Sequence, residues 1–121
     1  MLTLLSVSMM LVLAIKVSAW SVNNSAHIEE YIIYVASKEG VDVTKALAVA
    51  RCESRLNPLA RNTTNKEDSI GVFQINTKVH KDITVEEAQN PFRNINWAME
   101  HLIQGKWWMW KNCYDSLYRT S

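Results

Sequence analysis

Turn chemistry is scarce in this chain: its 121 residues hold three glycines and two prolines. A turn-rich β-fold needs far more of both, so the scarcity favours helices joined by few connections. The length allows one domain. Hydrophobic residues make up 48% and charged residues 21%, an ordinary globular balance that excludes disordered and collagen-like chains. Lys+Arg 13 against Asp+Glu 12 leave a formal charge of +1. A nucleic-acid binder shows a clustered basic excess, so no nucleic acid is expected as a partner.

Helical periodicity carries most of the chain. Ser25 can cap a helix in which Ile28, Ile32, Val35 and Ala36 share a face, with Gly40 as its stop. Asp42 can cap the next, from Val43 to about Glu53. Its run Ala46-Leu47-Ala48-Val49-Ala50 is apolar nearly all round, as in a buried helix. Pro58 forbids its continuation. Arg55 to Ser69 is polar and reads as a surface loop, and Ile70 to Asn76 is too short for periodicity to decide. Thr84-Val85-Glu86-Glu87 has the form of a capping box. Asn90-Pro91 then places a cap before a proline at the first helical position. Ile95, Ala98, Met99 and Leu102 line one face of that helix, which should end by Gly105.

The first residues stand apart. Leu2 to Ile15 is almost wholly apolar, Lys16 ends the run, and Val17-Ser18-Ala19 follows with small residues at the two positions a signal peptidase reads. Residues 1–19 therefore read as a signal peptide, leaving 20–121 as the domain. No Lys or Arg lies between Met1 and the run, and the rival reading is an uncleaved membrane anchor, although a spanning helix needs roughly 20 apolar residues. Either one carries the domain across a membrane, to the periplasm or the outside. There a pair of cysteines in a small domain usually forms a disulfide. A bridge between Cys52 and Cys113 would contribute roughly 4 kcal/mol through loop closure. Two buried free thiols are the alternative. A metal is not expected, because no second Cys or His lies at ligand spacing from either and the three histidines are scattered.

Glu53 ends an apolar helix. Partial desolvation and the negative end of the helix dipole both keep a carboxyl protonated there, which suits a proton donor working near neutral pH. Glycoside cleavage needs such a donor, because the leaving oxygen is too basic to depart alone. By itself a glutamate at a helix end is usually solvated. The surrounding string changes that reading: Cys52-Glu53-Ser54-Arg55-Leu56-Asn57-Pro58-Leu59-Ala60-Arg61-Asn62, then Ser69-Ile70-Gly71-Val72-Phe73-Gln74-Ile75-Asn76.

This string resembles the lysozyme-like superfamily of the soluble lytic transglycosylase type, in which a Glu-Ser pair ends the core helix and a Gly-x-x-Gln-Ile-Asn segment faces it across the sugar cleft. Asn90-Pro91, Asn94-Ile95, Ala98 and Leu102 look like the helix packed beneath that cleft, so the resemblance spans about Val43 to Leu102. It implies an α+β, mostly α fold: a lysozyme-like single domain with a short irregular or β segment beside the active-site cleft. It implies peptidoglycan glycan strands as substrate, no cofactor, and cleavage of the MurNAc–GlcNAc bond with a 1,6-anhydromuramyl end. Glu53 would be acid and then base, and Ser54 would touch substrate or hold the local backbone. Gly71 would let sugar approach the backbone, and Gln74 and Asn76 would bind substrate, with structural amides as the alternative for both.

A hydrolytic lysozyme needs a second carboxylate. In animal c-type lysozymes, which the string also resembles, that acid lies two residues before the matching glycine. Here the position is Ser69, and Glu67 and Asp68 are the nearby acids, with Asp68 the candidate partner of Glu53. A hydrolase using that pair, and a peptidoglycan-binding module without activity, are the alternatives. The chain lacks the family's Ala-Tyr-Asn segment, and His101 sits where an aromatic Tyr is usual. Tyr114, Tyr118 or the Trp107-Trp108-Met109-Trp110 cluster would have to substitute.

Overall fold

The computed structural model describes residues 25–119, and both the signal peptide and the anchor readings lie outside them. The element order is α1 (Ser25–Glu39), α2 (Val43–Ser54), β1 (Arg61–Thr63), β2 (Asp68–Ile70), β3 (Ile75–Asn76), α3 (Val85–Gln89), α4 (Pro91–Leu102), a 3-10 turn (Trp107–Trp110) and α5 (Lys111–Tyr118). The three strands form an antiparallel sheet in the order β1-β2-β3. This is the mostly helical α+β architecture expected from the resemblance.

Side-chain caps set the starts of three helices. Asp42 accepts from the Lys45 N–H at the head of α2. Thr84 and Glu87 form the reciprocal capping box of α3. Asn90 accepts from the Phe92 and Arg93 N–H groups ahead of Pro91. Ile28, Ile32, Val35 and Ala36 bury one face of α1, as their spacing predicts. That face packs against α2 and α4. Phe73 stacks edge-on to Trp110 inside the same core.

Two local features differ from the sequence reading. Helix α2 ends before Pro58 has any influence. Arg55 and Leu56 both adopt left-handed backbone, at φ 55° and 61°, and turn the chain away. Neither is glycine, so tertiary contact sustains this conformation: Leu56 is buried in the core. The polar stretch before Ser69 is also not all loop. Thr63 pairs with Asp68, Asn62 with Ser69 and Arg61 with Ile70, and a turn from Thr64 to Glu67 joins the strands. Strands of two or three residues, two of them largely polar, have no periodicity long enough to reveal them.

Cys52 and Cys113 are bonded. The bridge ties the last turn of α2, one residue before Glu53, to α5 near the C-terminal end of the described chain. The alternative of free thiols is thereby set aside.

Candidate active site

Glu53 lies on the last turn of α2, half-buried. No donor among the described residues reaches its carboxylate. Burial, and then the negative charge of Glu67, raise its pKa from an ordinary 4.5 to about 7. Such a group still holds its proton at neutral pH and releases it readily, as an acid that must later act as a base should.

Ser54 faces the segment after β2. Its hydroxyl donates to the Val72 carbonyl at 2.7 Å and to the Ala50 carbonyl one turn back. Of the two roles expected for it, this bonding supports holding the backbone: it ties residues 71–74 to the end of α2.

Gly71 has φ +78°, and a Cβ there would meet the Asn94 Nδ2 at 2.5 Å and the Ala88 carbonyl at 3.0 Å. The close approach that demands glycine is therefore made by Asn94, and the expected contact of sugar with this backbone has no counterpart in the packing. Asn94 is fully buried. Its oxygen accepts from the Phe73 N–H at 2.9 Å, and its nitrogen donates to the Ile70 and Ala88 carbonyls. One side chain of α4 thus suspends the whole 70–73 turn.

Gln74 has φ 47°. Its Nε2 donates to the Ala60 and Gly71 carbonyls, and its Oε1 accepts from Asn62 Nδ2 at 2.7 Å. Both amide hydrogens are spent inside the protein, which is the structural role weighed as the alternative to sugar binding. Asn62, exposed and with a second amide hydrogen to offer, is the polar group this arrangement turns outward. Asn76 accepts from the Asp68 and Lys78 N–H groups and donates to the Lys66 carbonyl, a turn-holding set.

Asp68 is buried and bidentate to Arg61, at 2.8 and 2.9 Å, with a further bond from Thr63. Arg61, chiefly by hydrogen bonding, holds its carboxyl below the usual range. Both oxygens are thus occupied within the sheet. Glu67 accepts from the Ser69 hydroxyl at 2.6 Å, and its charge is felt at Glu53. The sequence names both acids, but the strand register that separates their faces is a nonlocal property.

Residues expected to replace the missing tyrosine go elsewhere. Tyr114 stacks between Trp107 and Tyr118. Trp110 is buried and donates from Nε1 to the Phe73 carbonyl, while Trp108 is 68% exposed. His80 and His101, far apart in sequence, both pack on the ring of Trp97, whose Nε1 donates to Asp82. Among the described residues, no group of three His, Cys, Asp or Glu side chains could hold a metal ion.

A half-buried carboxyl with a raised pKa, set at the end of a core helix beside a small polar sheet, defines a lysozyme-like class of protein. Comparison with known families agrees. The model described as "Lysozyme like domain" matches residues 31–111, and the chain belongs to that family. Neither the curated proteins nor the solved structures compared with it gave a match. The domain type indicates a peptidoglycan-acting protein of glycosidase type. With the disulfide, it points to a location outside the cytoplasm.

Proposed function

We propose that this protein is a peptidoglycan lytic transglycosylase with Glu53 as its proton donor and acceptor. The observation that carries the reading is the protonated state of Glu53 near neutral pH, produced by burial at the end of α2 beside Glu67. In the first step Glu53 gives its proton to the oxygen linking C1 of N-acetylmuramic acid to the next sugar. The C1–oxygen bond breaks, and the substrate's acetamido oxygen stabilises the cation at C1. Glu53, now a carboxylate, takes the proton of the muramic C6 hydroxyl. The C6 oxygen bonds to C1, closing the 1,6-anhydro ring and restoring the acid. No water is consumed.

The engagement of Asp68 with Arg61 supports this single-acid scheme over a hydrolase using Glu53 and Asp68. The family match and the disulfide support action on the wall outside the cytoplasm, consistent with the N-terminal segment as an export signal. Digestion of purified sacculi followed by mass analysis is the test. Wild type should release fragments with anhydromuramyl ends, and Glu53→Gln should lose wall clearing by about 100-fold or more while still binding sacculi. Reducing ends would show a hydrolase, and clearing by the Gln variant would remove Glu53 from the chemistry.

A further inference from the structure

Side chains alternate along an extended strand, so residues two apart share a face. At the start of β2 this alternation separates two neighbouring acids. Asp68 points into the Arg61 guanidinium. Glu67 lies with Ser69, whose hydroxyl donates to it. Ser69 pairs across the sheet with Asn62, and Asn62 bonds Gln74. A single polar face therefore carries Glu67, Ser69, Asn62 and Gln74. Ser69 is buried and Glu67 half-buried, so the clamp has little freedom to swing.

We propose that Glu67, clamped by Ser69, is the second acidic group of the active site: a positioning residue whose fixed negative charge faces Glu53 and the sugar carbon at which positive charge develops. The proposal rests on the reading of Glu53 as the acid, and it replaces Asp68 as the neighbouring carboxylate. Two carboxyl groups that feel one another do not both ionise freely. Ser69 gives Glu67 a donor, whereas Glu53 has none among the described residues. The charge therefore settles on Glu67 and the proton on Glu53. Among the described residues, Glu67 is the charged side chain whose field acts on Glu53, and its influence adds to that of burial. Once the glycosidic bond opens, the same fixed charge favours the cationic sugar over the neutral substrate, which is differential stabilisation of the transition state.

Glu67→Gln, Ser69→Ala and Asp68→Asn, made in the full chain, test this. Folding is checked by circular dichroism, the Glu53 carboxyl is titrated by carbon NMR, and the rate of sacculus clearing is followed against pH. Glu67→Gln should lower the Glu53 midpoint and carry the alkaline limb of kcat/KM to lower pH with it. Its kcat should fall about tenfold or more with KM little changed. Ser69→Ala should move both in the same direction by less, and Asp68→Asn should leave the midpoint in place. An unmoved Glu53 midpoint in folded Glu67→Gln overturns the proposal. If Glu67→Gln fails to fold, an unmoved midpoint in Ser69→Ala does so. Because the NMR titration needs no turnover, it still decides the role of Glu67 if clearing by Glu53→Gln shows that another residue is the acid.

Discussion

A carboxyl group that loses part of its water and gains no donor keeps its proton to higher pH. At Glu53 this serves catalysis and works against the fold. Its pKa stands at about 7 in the folded protein against 4.5 ordinarily. Below about 4.5 both folded and unfolded chains hold the proton, and the raised affinity contributes its full stabilisation. As pH climbs from there, the unfolded chain releases the proton first and the contribution fades. Above 7 the folded protein carries a half-buried charge. Glu53→Gln should therefore melt above wild type at pH 8, on the order of a few degrees, with the gap closing towards pH 4. Calorimetry at the two pH values checks this. A variant that gains stability as it loses chemistry marks a group kept for function rather than for folding.

At the scale of elements, α4 holds the β2–β3 turn through Asn94. Replacing it with Ala would leave the Phe73 N–H and the Ile70 carbonyl without their partner inside the core, and would open space beneath Gly71. Asn94→Ala should cost about 2–4 kcal/mol in urea unfolding. It should also lower clearing activity, because Val72 and Gln74 belong to the same turn. Much of the helical frame was legible in the chain. Asp42, Thr84 and Asn90 are local signals that act within three residues, and the buried face of α1 follows from periodicity. Glu53 and Ser54 were legible through their string. The sheet was not, because its strands are shorter than one hydrophobic repeat. The partners of Gly71, Gln74 and Asn76 lie on other segments, and composition near those residues says nothing about them. The choice between Glu67 and Asp68 turned on strand parity, which only the paired register defines.

For the molecule as a whole, the Cys52–Cys113 bridge joins the helix that bears the acid to the last helix described. The double variant Cys52→Ser/Cys113→Ser should lose roughly 4 kcal/mol of unfolding free energy, and reductant should lower the melting point of wild type but not of the variant. Much of a small domain's stability rests on that one bond. The left-handed pair Arg55-Leu56 has a different implication, one of timing. The isolated chain does not favour that bend, and it persists because Leu56 has a finished core to enter. A nascent chain can therefore wind α2 long before the reversal behind it exists. The surface that handles sugar is then a late product of assembly, completed only when the interior has closed.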